Sequence, residues 1–66
     1  MKLTVNGKPH EHTGDGTLAS LLAELDADPK RVAVLLNDEV VRRDDSDSTS
    51  LTENDRIEIL SFVGGG

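Results

Sequence analysis

Cysteine is absent from this 66-residue chain, which excludes disulfide staples, thiolate metal sites and any nucleophilic or persulfide-bearing thiol on the chain itself. Aromatic residues are nearly absent too. Phe62 stands alone, so no platform exists on which bases could stack. Cations are scarce, 7 Lys and Arg against 13 Asp and Glu, for a net charge of -6. A phosphate backbone is bound by clustered Lys and Arg, so nucleic acid is not an expected partner. No long apolar run is present: Val32-Ala33-Val34-Leu35-Leu36 is far too short to span a bilayer, and no membrane partner is expected. The opening Met1-Lys2-Leu3-Thr4-Val5-Asn6-Gly7 reads as a strand entering a turn and not as a signal peptide. Together with the lack of cysteine this points to a cytoplasmic protein.

What remains is one small domain. A chain of this size buries only roughly 60% of the surface it exposes when unfolded, leaving no space for a second lobe, a deep cavity or a buried cofactor. Cohesion must come from Leu, Val, Ile and Phe packing. Leu3 and Val5 share a face of a first strand, and Asn6-Gly7 is the strongest two-residue signal for a type I′ hairpin. The return strand covers residues 8 to about 13, with Pro9 placing it at a sheet edge because proline cannot donate to a ladder. Gly14-Asp15-Gly16 breaks the strand and Thr17 caps a helix starting at Leu18. Leu18, Leu21, Leu22 and Leu25 fall on one helical face, and the helix fades before Pro29.

Residues 32–36 form a buried strand, Asn37-Asp38 a turn and Val40-Val41 a short strand. The Asp- and Ser-rich stretch 42–50 reads as a surface loop. A second turn at Thr52-Glu53-Asn54-Asp55 leads into a final strand in which Ile57 and Ile59 point inward. By the same alternation Leu60 and Phe62 project outward, beside the terminal Gly64-Gly65-Gly66. Strand, strand, helix, strand, short strand, strand is an α+β, β-grasp (ubiquitin-like) order: a mixed sheet of four or five strands with one helix on one face.

Chemistry-bearing constellations are few. His10 and His12 share a strand face and could chelate a metal, but no third ligand is assignable, so no metal site is expected. Asp44-Asp45-Ser46-Asp47 opens like a calcium loop, yet Ser50 and Arg56 stand where the pattern needs Gly and Glu. Gly14-Asp15-Gly16 is too short for a phosphate loop, and no serine has a nearby histidine base in sequence, so no enzyme is expected. Arg42 and Arg43 read as a solvated pair, worth about 0–1 kcal/mol in any exposed contact. The distinctive group is the terminal carboxylate of Gly66. Glycine has no Cβ, so a tail of three can thread a tunnel too narrow for other residues.

Across nearly its whole length the chain resembles ThiS-type sulfur carriers of thiamine biosynthesis. The likeness lies in Leu3-Thr4-Val5-Asn6-Gly7, in Thr17-Leu18 with Leu21-Leu22 and Leu25, and in Val32-Ala33-Val34 with Asn37 and Val40-Val41-Arg42-Arg43. It continues through Asp55-Arg56-Ile57-Glu58-Ile59 to Phe62-Val63-Gly64-Gly65-Gly66. Val41 and Asp44-Asp45 stand where that family often has Pro and Trp, and Glu53-Asn54-Asp55 where it often has Asp-Gly-Asp. The resemblance implies a β-grasp domain over residues 1–63 and a flexible glycine tail over 64–66. It implies that an E1-like, ThiF-type adenylyltransferase activates the Gly66 carboxylate with ATP, that a thiocarboxylate follows, and that a ThiG-type thiazole synthase uses the sulfur. Gly64 and Gly65 would thread the partners' active sites and Leu60 and Phe62 would dock them, with no cofactor held by the chain itself. A sibling carrier for molybdopterin, cysteine or another sulfur metabolite, a ubiquitin-like modifier joined to lysines, and a plain interaction domain are the alternatives.

Overall fold

The computed structural model describes residues 1–61. Its first two strands, β1 (Lys2–Val5) and β2 (Lys8–Glu11), pair antiparallel and meet at Val5↔Lys8. Between them Asn6 and Gly7 have φ of 50° and 80°, the paired left-handed conformations of a type I′ turn. Asn tolerates that region and Gly meets no steric objection to it, which is why this dipeptide closes the hairpin. The Asn6 carboxamide also reaches away from the turn, its Oδ1 accepting the Ile59 N–H at 2.7 Å.

The helix α1 (Leu18–Glu24) starts where expected. Thr17 is its N-cap, its Oγ1 accepting the Ser20 N–H at 3.1 Å, and Asp15 accepts from both Thr17 N–H and Oγ1–H. Leu18, Leu21 and Leu22 are buried and Leu25 packs beside them. The helix ends in paired bonds, Ala27 N–H to Leu22 C=O at 2.8 Å and Asp26 N–H to Ala23 C=O at 3.1 Å. This is a Schellman arrangement, normally built on glycine, with Asp26 held at φ 58°. Replacing Asp26 by Gly should therefore raise stability by about 0.5–1 kcal/mol, since left-handed backbone is strained for a residue with a Cβ. The check is thermal denaturation, where that gain is worth an upward shift of roughly 2–8 °C in a domain of this size.

Strands β3 (Val32–Leu36) and β4 (Glu39–Val41) form a second hairpin, turned by Asn37 and Asp38 at φ 50° and 73°. Asp38, the residue that least suits its position, pairs with Arg56 Nη2 at 2.6 Å. The stretch read as a surface loop is different: Arg43–Ser48 is a 3₁₀ helix against α1. The hydroxyl residues that argue for a loop are the ones that satisfy its backbone. Ser46 Oγ donates to Arg43 C=O, and Ser48 and Thr49 hydroxyls donate to Asp45 C=O. Leu51, just beyond, enters the core and ties the segment to the helix entrance by its N–H to Gly16 C=O at 2.7 Å.

Asn54 takes φ 71° in the following turn, as its residue type suggests. Asp55 organises that turn, accepting from Thr52 N–H, Thr52 Oγ1–H and Asn37 Nδ2–H. Strand β5 (Arg56–Ser61) then runs up the middle of a five-stranded sheet of order β2-β1-β5-β3-β4, parallel to β1 and antiparallel to β3. The core of Leu3, Leu18, Leu21, Leu22, Val34, Leu51 and Ile57 lies between the sheet and α1. Pro9 sits on the edge strand β2, where a missing N–H costs nothing in the ladder.

Candidate functional site

Strand β5 (Arg56–Ser61) runs through the centre of the sheet and is the last element of the described residues. Ile57 is buried and Ile59 half-buried on the helix side, while Leu60 on the open face is 56% exposed, as the alternation predicts. Directly across from Leu60 on β3 lies Ala33, and two residues along β3 Leu35 faces Val40, which is 75% exposed. Cross-strand partners share a face, so Leu60, Ala33, Leu35 and Val40 form one apolar patch at the exit of β5. Sequence reasoning named Leu60 and missed Val40. Its outward face follows from the register of β4 on β3: Val41 pairs with buried Val34, so Val40 faces the other way. Phe62, Gly64, Gly65 and Gly66 lie outside the described residues.

His10 and His12 do share a face, and what they share is Glu24 of α1. His10 Nε2 lies 2.7 Å and His12 Nδ1 3.0 Å from the same oxygen, Oε1. The other oxygen, Oε2, accepts Thr13 N–H at 3.0 Å and Thr13 Oγ1–H at 2.8 Å. His12 is 3% exposed, and its Nε2 receives Gly16 N–H and faces Ser20 Oγ, each at 3.1 Å. A backbone N–H can only donate, so Nε2 must be the bare nitrogen and Nδ1 carries the proton. A protonated Nδ1 donating to Glu24 is not a metal ligand. Among the described residues no three His, Asp or Glu side chains are placed to hold a metal ion. The cluster is a clasp between the exit of β2 and the helix. Gly14 is part of it, because an added Cβ would collide with Ser20 Oγ and stand 2.7 Å from His12 Cε1.

These bonds set the acid response. Hydrogen bonds from His10, His12 and Thr13 hold the Glu24 carboxyl far below its ordinary value of 4.5. Bonds from Thr17 lower Asp15, and the Met1 ammonium lowers Glu11 while being itself raised above its ordinary 8.0 by that pairing. At Asp55 partial burial opposes ionisation, and the bonds from Asn37 and Thr52 outweigh it. Carboxyls that titrate lower in the folded chain stabilise it fully above their unfolded values and progressively less as pH falls through and below them. The Met1 ammonium does the reverse, contributing below 8.0 and losing its contribution as pH rises. Melting temperature is therefore expected to be flat from about pH 5 to 8, to drop steeply on the acid side and to sag slightly on the alkaline side. Circular dichroism melts across pH check this, and Glu24→Gln should shallow the acid limb.

A mixed five-stranded sheet with parallel central strands β1 and β5 and one helix clasped across it defines a β-grasp domain. The model of the ThiS family matches residues 3–66. The crystal structure of a thiamine biosynthesis protein (ThiS) from Geobacter metallireducens superposes with a TM-score of 0.82 at 42% identity, each chain covered in full. The sulfur carrier protein ThiS of Bacillus subtilis is 38% identical over 97% of this chain and 98% of its own. A thiazole synthase of Magnetococcus marinus is 42% identical over the whole of this chain, which spans only 20% of that longer protein. This chain belongs to the ThiS family. No helix among its described residues is long and apolar enough to cross a membrane.

Proposed function

We propose that this chain carries sulfur on its terminal Gly66 for thiamine biosynthesis. The observation that carries the reading is that the family match runs to Gly66 itself, through the Phe62-Val63-Gly64-Gly65-Gly66 end of the sequence. The chemistry follows from the group. A carboxylate resists nucleophilic attack, so an E1-like, ThiF-type partner first directs its oxygen onto the α-phosphorus of ATP, and pyrophosphate leaves. A sulfur nucleophile delivered by the partner system then adds to the acyl carbon and AMP leaves, giving the thiocarboxylate. Tethered there, the sulfur cannot diffuse away, and Gly64 and Gly65 give it a slim stem with which to enter a buried site.

Thiazole synthase is the receiving partner in this reading. Support comes from proteins of that name, from Magnetococcus marinus and Paramagnetospirillum magneticum, in which one fifth of the length is a domain like this chain. The open-face patch around Leu60 and Val40, with Phe62 beyond it, is the docking surface, and the acidic net charge favours partners with basic clefts. Catalysis belongs to the partners, ATP is theirs to bind, and the setting is the cytoplasm. Intact mass spectrometry of the chain from its native host tests this. One oxygen-to-sulfur exchange mapped to Gly66 is the expected result. An unmodified terminus beside an active sulfur-transfer system, or a lysine-linked adduct, would sink it.

A further inference from the structure

Strand β5 loses a neighbour before it ends. β1 pairs with it only at Thr4↔Arg56 and Val5↔Ile57 and then turns away through Asn6-Gly7. On the other side β3 accompanies β5 as far as Val32↔Ser61. Asn6 Oδ1 closes the β1 ladder by taking the Ile59 N–H at 2.7 Å. Peptide groups of successive strand residues face opposite neighbours. Arg56 N–H and C=O both bond Asn37 on the β3 side, so the even-numbered residues face β3 and the odd-numbered ones face β1. Ile59 C=O and Ser61 N–H therefore point to the side that β1 has vacated. They make an acceptor and a donor at strand spacing, and the β1 pairing has already stopped.

Below this edge, on the helix side, lies a groove of about 830 Å³. Its floor is made by Val5, Leu25, Ala27, Val32 and Ile59; Asp26, Asp28 and Arg31 also line it, and Arg31 pairs with Asp28 at 3.8 Å, which leaves Asp26 as the unpaired charge of the groove among the described residues. The helix stops short of this end of the sheet because the Schellman turn at Asp26 ends it there.

The geometry points to a second gripping surface: the β1-side edge of β5 at Ile59 and Ser61 accepts an extended strand of thiazole synthase, the receiving partner in the reading above, on which this inference rests. The strand bonds Ile59 C=O and Ser61 N–H, lays an apolar side chain on Val5, Leu25 and Ile59, and sets a basic residue beside Asp26. Strand addition at Ile59 and Ser61 holds the end of β5 extended on both sides. The open face around Leu60 supplies area; this edge supplies direction.

The test is amide hydrogen exchange of the isotope-labelled full chain, alone and with the thiazole synthase of the same organism. Leu60 N–H lies on the β3 side opposite Ala33 and should be protected in both states. Ser61 N–H should exchange fast in the free chain and slow at least about tenfold in the complex. Ser61→Pro removes that donor together with the hydroxyl and should raise Kd by about tenfold, whereas Ser61→Ala removes only the hydroxyl and should bind as wild type. Asp26→Asn, which tolerates the left-handed backbone, should weaken binding about threefold and flatten its salt dependence. A complex that forms with Ser61 exchange unchanged, and with Ser61→Pro binding like Ser61→Ala, overturns this surface and leaves the carrier reading intact. No complex with the wild-type chain, with or without sulfur at Gly66, overturns both. The exchange measurement on the wild-type chain decides the matter even if Ser61→Pro fails to fold.

Discussion

Gly66→Ala, or one residue added after Gly66, is expected to abolish thiocarboxylate formation while leaving the fold untouched. The core residues, Leu3, Leu18, Leu21, Leu22, Val34, Leu51 and Ile57, all precede the tail, so a change at position 66 should move stability by no more than about 0.5 kcal/mol. Its effect on chemistry is of another order. One added residue displaces the carboxylate by about 3.3 Å, and a displacement near 1 Å at a reacting centre already costs roughly a hundredfold in rate. Alanine keeps the carboxylate in register but sets a methyl group beside the acyl carbon, where the proposed threading of the tail leaves room only for glycine. A loading reaction with ATP and the adenylating partner, read by intact mass, should show no sulfur on either variant, with melting curves matching wild type. Loading of the extended chain at the wild-type rate would show that the reaction does not depend on the carboxylate standing at position 66, whereas no loading of the wild-type chain under the same conditions would end the carrier reading.

The parts of this fold that were legible in the sequence are those decided by neighbours along the chain. Asn6-Gly7 and Asn37-Asp38 specify their turns by the backbone each residue tolerates, and both hairpins form there. The leucines of α1 declare their face by spacing, and Ile57 and Leu60 declare theirs by parity. The features missed are those in which the deciding partner is distant. Arg43–Ser48 has loop composition, and only its contact with α1 and the anchoring of Leu51 in the core select a 3₁₀ helix over an open loop. Leu51 itself has no periodic companions, so nothing local marks it as core. The patch at Val40 needs the register of β4 against β3, and β3 against β5, before it can be seen next to Leu60. His10 and His12 were correctly placed on one face, but their common partner is Glu24, separated by a turn and most of a helix.

His12→Ala should be among the most damaging single changes outside the hydrophobic core. The imidazole is buried, and its removal leaves Gly16 N–H and Ser20 Oγ without their acceptor and Glu24 Oε1 without one of its two donors. It also opens a void between β2 and α1, beside the close approach at Gly14. An unsatisfied buried polar group costs about 1–3 kcal/mol, and an unfilled void adds to it, so a loss of about 3 kcal/mol is expected. That is a large fraction of the roughly 5–15 kcal/mol by which domains are stable, and for a chain this small it should lower the melting temperature by about 12–24 °C. Pairing His12→Ala with Glu24→Ala separates the clasp from simple packing. Partners in one hydrogen-bonded network show a coupling of about 0.5–3 kcal/mol, so the double variant should lose clearly less than the sum of the two singles. A His12→Ala chain melting within about 3 °C of wild type would mean that water replaces the imidazole at no cost, and that the clasp contributes nothing to stability. The clasp stands at the exit of β2, while the tail leaves from the end of β5. Well below its melting temperature the variant should therefore still take up sulfur at Gly66, a loss of stability without a loss of chemistry, the opposite of what is expected for Gly66→Ala.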